Sequence, residues 1–463
     1  MATTREQAEA YAYDNRRRTT SLFRGTDEAR TDPRRRLNRA LGSGVAVGVL
    51  IMAGFGIAGM LGAGRGPGLP ATGAVVAGGS GDRYVVSDGT VHPALNLASA
   101  LLAGGGEVTT VRQSVLDAAP RGLPVGIPGA PDALPSADAL VDDLWTLCAV
   151  PAENGGDPAR TALYVSVPEA AATGEDPATV LAEDEDGALW LLTEGRRYAL
   201  EQGIRDLLSL TRDPVPLPLR IIATLPEGPG ITIPEPGSGT GDTPGVELPF
   251  PAAVGDLAHT DPGGGSPQYF LVRPDGLVSL PELVHTLLGA HATTDHTVSA
   301  TEAARAPRSA ESAPGDRSWP EARPVATDPG RNQPVCVSTP PGGQPGDAPW
   351  RATVHLPATL PEPGGLTPVR SGDGRLGALD EIWVPAGSGA VVRATTSAGA
   401  GGTYTLVTDG GLASPFASPE AVERLRYAPG AAPTVPASFV GLLPAGPVLD
   451  PLAAVVEQKG NQE

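Results

Sequence analysis

The chain has 463 residues and a net charge of −19 at pH 7, with 61 Gly, 50 Pro, two Cys and an aromatic share of 4%. That length allows two to four ordinary domains, and so much Gly and Pro implies small cores joined by rigid turns. The acidity repels nucleic acid and other polyanions, so no nucleic-acid partner is expected.

Charge divides early in the chain. Residues 1–39 hold ten Arg against six acids, a net +4, which leaves −23 for the remainder. Residues 4–24 have helical spacing, with Ala8, Tyr11, Asn15, Arg18 and Leu22 on one side. Such a basic, half-apolar helix suits anionic lipid or a cytoplasmic partner; an ordinary solvated face is the alternative. Leu41–Ala63 is an uncharged run of 23 residues between Arg39 and Arg65. As a helix it would reach about 34 Å, enough for a hydrocarbon core of about 30 Å. Arg34, Arg35, Arg36 and Arg39 precede it, so the positive-inside rule predicts a single-pass anchor with its N-terminus cytoplasmic and the rest outside. A 39-residue polar leader and so long an apolar core fit a cleaved signal peptide poorly. Gly44 and Gly48 give the anchor small-residue spacing suited to close helix packing in lipid.

Beyond a Gly/Pro/Ala stretch, four segments share one grammar: Arg83-Tyr-Val-Val-Ser-Asp-Gly89, Leu189-Trp-Leu-Leu-Thr-Glu-Gly195, Gln268-Tyr-Phe-Leu-Val-Arg-Pro-Asp-Gly276 and Thr403-Tyr-Thr-Leu-Val-Thr-Asp-Gly410. Each reads as a short strand ending in an acid–Gly turn (Asp88-Gly89, Glu194-Gly195, Asp275-Gly276, Asp409-Gly410). A second strand and an apolar helix follow, centred on Leu97/Leu101, Ile204/Leu208, Leu283/Leu287 and Val422/Leu425. The turn glycine precedes the last helical leucine by 13, 13, 12 and 15 residues. A Pro-rich tail recurs as well, Leu217-Pro218 to Pro229 matching Val435-Pro436 to Pro447, and proline there suits edge strands.

Four β-β-α modules of this kind would decorate a central sheet. Its candidate strands are Leu144–Val150, Thr161–Val167, Val335–Ser338, Ala352–Leu356, Glu381–Pro385 and Ala390–Ala394. Cys148 and Cys336 fall in its two halves, and outside the cytoplasm such a pair reads as one structural disulfide; a metal pair or two free thiols are the alternatives. Residues 227–247, rich in Gly, Pro and Thr, and 299–332 read as mobile loops.

No site chemistry stands out. No catalytic, cofactor-binding or metal-ligating residue is expected, and no cofactor. Lys459, the only lysine, is followed by Gly460-Asn461, so the chain has no Gly-Lys-Ser/Thr phosphate loop. Glu183-Asp184-Glu185-Asp186 reads as a solvated turn. His291 and His296 with Asp295 match no standard ligand spacing and read as a surface loop.

The Asp32-Pro33 pair with its arginines before the anchor, Tyr84–Leu102 (YVVSDGTVHPALNLASALL), Val125–Pro131 (VGIPGAP) and Val384–Ala394 (VPAGSGAVVRA) together resemble the EccB family of the actinobacterial type VII (ESX) secretion system. The resemblance implies an extracytoplasmic domain of four repeat modules around a disulfide-linked central domain. It also implies a membrane complex with EccC, the motor ATPase, and with EccD and EccE. Members of the family are also labelled ATPases. The expected fold is α+β: a single-pass membrane protein with a β-rich central extracytoplasmic domain surrounded by four small β-β-α modules. The expected divisions are a cytoplasmic tail 1–39, a transmembrane helix 40–64, a linker 65–80, a first repeat at 81–137 and a first central segment at 138–170. The second repeat follows at 180–235, a linker with the third repeat at 236–298, a second central segment at 333–396 and the fourth repeat at 397–457. The expected role is a structural core component that touches membrane lipid, sister subunits and further copies of itself. An extracytoplasmic ATP hydrolase and a cell-wall-binding module are the alternatives.

Overall fold

The computed structural model describes residues 3–24, 33–62, 68–151, 160–170, 177–260, 266–292, 294–330, 332–340, 342, 352–370, 379–396 and 400–458. It divides into one unit of residues 1–70 with 110–118 and a second of 71–109 with 119–463.

In the first unit, Thr4–Arg24 and Pro33–Gly62 are helices. The shorter begins at Thr3, whose backbone N–H donates to Glu6, and i,i+4 pairs Arg5–Glu9 and Arg18–Asp14 line its surface. It leaves Tyr11, Tyr13 and Leu22 exposed. The longer has 30 residues, roughly 45 Å. Among the described residues no helix is long and apolar enough to cross a membrane; the side chains of residues 33–39, 54 and 56–62 lie outside that description.

The second unit is α+β, built on small sheets. Leu257–Thr260, Tyr269–Arg273 and Gly276–Leu280 form three antiparallel strands, the helix Glu282–Leu288 follows, and Asp295–Val298 returns parallel to Leu257–Thr260. The same path is traced by Val180–Glu183, Leu189–Thr193, Arg196–Leu200, the helix Gln202–Leu207 and Val215–Pro216. Gly389–Thr395, Thr403–Thr408, Ala413–Pro415, the helix Pro419–Arg424 and Thr434–Pro436 repeat it once more. Near the start of the unit, Gly73–Gly78, Arg83–Ser87 and Thr90–Pro93 pair antiparallel ahead of the helix Leu97–Gly104. That helix starts where the Asn96 side chain accepts from Ser99 N and stops at Gly105, φ +84°.

A six-stranded sheet runs Thr353–His355, Val335–Thr339, Trp145–Val150, Arg160–Val165, Glu381–Trp383, Val369–Arg370. Its inner strands read as continuous apolar runs because both faces are covered. On one face Trp145, Leu147, Leu163 and Ile382 pack with Ile222, Phe439 and Leu443, drawing in the groups around 180–225 and 389–443. Leu191, Tyr198 and Leu208 pack with Leu271, Leu283 and Leu287, which joins the 180–225 and 257–298 groups. Leu101 and Leu102 pack with Leu406, Phe416 and Val422, joining the 73–104 and 389–436 groups. Each such buried side chain contributes about 1.5–3 kcal/mol.

Several sequence expectations change. Residues 73–78, expected in the linker 65–80, form a strand with Ala74 and Val75 buried. Ala390–Ala394, expected in the central sheet, belongs instead to the strand Gly389–Thr395 beside Thr403–Thr408. A strand buried on both faces carries the same apolar signature whichever sheet it joins. The mobile loop expected at 299–332 is packed. Ser299 and Glu302 form a capping box for the helix Ala300–Arg305. Trp319 is buried among Tyr198, Leu283 and Leu287, and its Nε1 donates to Pro229 O at 3.2 Å. Within 227–247, Arg273 Nη1 donates to Pro236 O, and Gly245 N donates to Pro274 O at 2.9 Å.

Candidate functional site

Cys148 and Cys336 sit directly opposite each other on neighbouring antiparallel strands, with Cα atoms 4.1 Å apart, and are joined by a disulfide. Both are fully buried against Tyr164 and Trp383. Further along this sheet the buried carboxylate of Glu381 accepts from Arg160 at 2.6 Å, Arg370 at 2.9 Å and Trp383 Nε1 at 3.2 Å. The hydrogen bond to Glu381 holds the Arg160 guanidinium above its ordinary value. Losing either Arg would leave a buried charge under-compensated, and the Arg160–Glu381 pair joins neighbouring strands that are 221 residues apart in sequence.

The acid–Gly turns differ in their geometry. Asp88 and Glu194 have φ +49° and +50°, with Gly89 and Gly195 at +77° and +72°. Positive φ at both central positions is what a tight I′ hairpin requires. A Cβ on Gly195 would strike the Ala352 carbonyl, whereas one on Gly89 would meet open space. Gly276 has φ +141° and lies against the Pro307 carbonyl. Asp275 accepts from Ala310 N at 3.1 Å, and its carboxyl is held below the usual range by hydrogen bonds from Ser309 and Ala310. Asp409 accepts from Gly387 N at 2.9 Å, while Gly411, not Gly410, carries the positive φ of +75°. Asp275 and Asp409 thus each hold a backbone N–H from outside their own turn. Arg34, Arg35, Arg36 and Arg39 lie within the helix Pro33–Gly62, and their side chains fall outside the described residues.

The acidic run 183–186 is more than a solvated turn. Asp184 is 9% exposed and accepts from Asp186 N, Ala188 N and Trp190 Nε1 at 2.9–3.0 Å. Burial alone would raise its carboxyl, but the hydrogen bonds prevail and lower it. Glu185 accepts from Leu219 N at 2.6 Å, at the start of the helix Leu219–Ile222.

Asp295 and His296 lie on a strand rather than a surface loop. His296 Nε2 bonds Asp256 at 2.9 Å and His291 is exposed. Asp295 instead meets two histidines that no sequence pattern singled out. Parallel pairing sets His259 beside Thr297, two residues from Asp295 and so on the same face of the sheet, and the helix Glu282–Leu288 brings His285 to the same place. His259 Nδ1 is 2.9 Å and His285 Nε2 3.4 Å from Asp295 Oδ1. His259 Nε2 lies 3.2 Å from Thr297 Oγ1. His285 Nε2 is enclosed and has no hydrogen-bond partner of good geometry. The Tyr269 ring lies 4.7 Å from the His285 ring. Burial pushes the His285 imidazole below its ordinary value against the pull of Asp295, so it is neutral at pH 7. Among the described residues, His259, His285 and Asp295 form the group able to hold a metal ion. Spacings of 26 and 10 residues gave no short motif by which to find it.

Residues 1–461 match the family described as "Type VII secretion system ESX-1, transport TM domain B". The chain is 31% identical over 293 residues to the "ESX-1 secretion system ATPase EccB1" of Mycobacterium tuberculosis (strain ATCC 25618 / H37Rv), covering 60% of this chain and 59% of that protein. It is 31% identical over 306 residues to the "ESX-3 secretion system ATPase EccB3" of the same strain, covering 62% and 56%. The alignments thus span less than two thirds of these relatives. Among solved structures, the EccB3 dimer from the ESX-3 core complex matches with TM-score 0.66 and 26% identity, over 83% of this chain and 100% of that chain. A chain of an intact ESX-5 inner membrane complex matches with TM-score 0.63 and 25% identity, over 100% and 97%.

Proposed function

We propose, because the chain belongs to the type VII secretion system ESX-1 transport TM domain B family, that it is a structural core subunit of an ESX-type inner-membrane secretion complex. The observation that carries this reading is the fold shared with a chain of the intact ESX-5 complex, along nearly the full length of both.

Finer features support the same reading. Leu41, Val45, Leu50, Met52 and Phe55 stand exposed on the helix Pro33–Gly62 by 60%, 62%, 71%, 71% and 77%, a surface that hydrocarbon would cover. With Arg34, Arg35, Arg36 and Arg39 ahead of them, the helix acts as a single-pass anchor that keeps residues 1–39 cytoplasmic and the second unit outside. The common strand–strand–strand–helix–strand path supports four repeat modules around a central domain. The bounds at 81–137 and 397–457 then extend upstream to take in the leading strands Gly73–Gly78 and Gly389–Thr395, whereas 180–235 and 236–298 already hold theirs. EccC, EccD and EccE are the partner subunits, and the EccB3 dimer supports self-association. The family's ATPase label finds no Gly-Lys-Ser/Thr here, so the nucleotide motor is assigned to EccC.

The test is extraction of the tagged chain from its own membrane with mild detergent, followed by a native gel. The full chain should migrate with the other membrane subunits, and a chain lacking residues 1–64 should not. A full chain recovered only on its own would refute the assignment.

A further inference from the structure

The edge where His259, His285 and Asp295 meet has a geometry that ordinary packing does not need. Two imidazoles and a carboxylate from three elements aim one ligand atom each at a common point, all within 4.8 Å of one another. In a tetrahedral shell with bonds of 2.0–2.1 Å, neighbouring ligand atoms lie about 3.3 Å apart. The observed separations from Asp295 Oδ1, 2.9 Å to His259 Nδ1 and 3.4 Å to His285 Nε2, bracket that value.

We propose that His259 Nδ1, His285 Nε2 and Asp295 Oδ1 bind one zinc ion, which ties the helix Glu282–Leu288 to the parallel strands Leu257–Thr260 and Asp295–Val298. Imidazole with carboxylate suits zinc, whereas Mg2+ and Ca2+ take oxygen ligands. The surroundings are those a zinc site uses. With Nδ1 on the metal, His259 Nε2–H donates to Thr297 Oγ1, 3.2 Å away, which fixes tautomer and ring orientation. The His285 ring is held between the Tyr269 ring at 4.7 Å and the edge of His259 at 6.1 Å. The enclosed Nε2 of His285 gains the partner it otherwise lacks. The side chains of His259 and Asp295 are 32% and 40% exposed, so the ion can enter from solvent and water can complete the shell.

The experiment uses the full chain in detergent, stripped with a chelator and titrated with Zn2+ by calorimetry; Mg2+ serves as the comparison ion. One Zn2+ per chain should bind and raise the melting temperature, while Mg2+ does neither. Asp295→Asn keeps the shape of the exposed rim and should weaken Zn2+ binding by at least about a hundredfold; His285→Ala should do the same, and Thr297→Val should weaken it by roughly tenfold. His291→Ala, at an exposed position of the same group, should bind as the parent does. Absence of saturable Zn2+ binding, or binding that survives both Asp295→Asn and His259→Gln unchanged, would overturn the proposal.

Discussion

Breaking the Cys148–Cys336 bond tests whether the six-stranded sheet is held by its cross-link or by its packing. The bond closes a loop of 188 residues. On the chain-entropy account a loop of that size stabilises the folded state by about 5 kcal/mol. The second unit has 384 residues, so at about 2.1 cal/mol/K per residue its unfolding entropy is about 0.8 kcal/mol/K. The melting temperature should then fall by about 6 °C. Both sulfurs are buried among Tyr164, Trp383 and Ala170, so Ala is a better replacement than Ser, whose hydroxyl would be enclosed without a partner. Calorimetry would compare the parent chain, the parent after reduction, Cys148→Ala, Cys336→Ala and the double variant. All four altered forms lose the same bond, so their melting temperatures should nearly coincide. Hydrogen exchange should speed up first in Trp145–Val150 and Val335–Thr339, while Leu283 and Leu287 keep their local packing. Additive losses in the two single variants, or no change on reduction, would refute the argument.

Gly195→Ala should cost about 3 kcal/mol, from a left-handed backbone plus the collision with the Ala352 carbonyl, whereas Gly89→Ala, with only the backbone strain, should cost about 1 kcal/mol; equal urea midpoints would show that the Ala352 contact is irrelevant. Asp184→Ala should cost about 2 kcal/mol by orphaning Trp190 Nε1 and two backbone N–H groups. Since the folded Asp184 carboxyl is held below its unfolded value, its stabilisation is complete above about pH 4 and drains as pH falls through the folded value, so Asp184→Ala should flatten the acid limb of an unfolding titration. In intact cells a membrane-impermeant thiol reagent should label Ser80→Cys and spare Ser21→Cys; labelling at position 21 would reverse the topology. Purified chain should show no saturable ATP turnover, and a turnover abolished by one point substitution in the second unit would contradict the absence of a phosphate loop.

Local chemistry made much of this protein legible from its sequence. A hairpin turn needs residues that accept positive φ, so Asp88-Gly89 and Glu194-Gly195 mark their turns without reference to anything distant. A short helix shows its buried face through i, i+3 and i+4 leucines, and Leu283, Leu287 and Leu288 are buried as that spacing requires. The leading strands were not legible in the same way. Gly73–Gly78 reads as linker because Gly and Ala flank its two valines and continue the Gly/Pro/Ala stretch before it; it becomes a strand because Arg83–Ser87 offers a hydrogen-bonding edge. Gly389–Thr395 was visible as a strand but not as a member of its sheet, since pairing is settled by partners that the strand's own residues do not encode. Residues 299–332 read as a mobile loop until Trp319 finds the pocket made by Tyr198 and Leu283, two groups that no local pattern connects. The His259, His285 and Asp295 edge follows the same logic: parallel pairing and helix docking each remove a stretch of intervening chain, and only their combination brings three ligand atoms to one point.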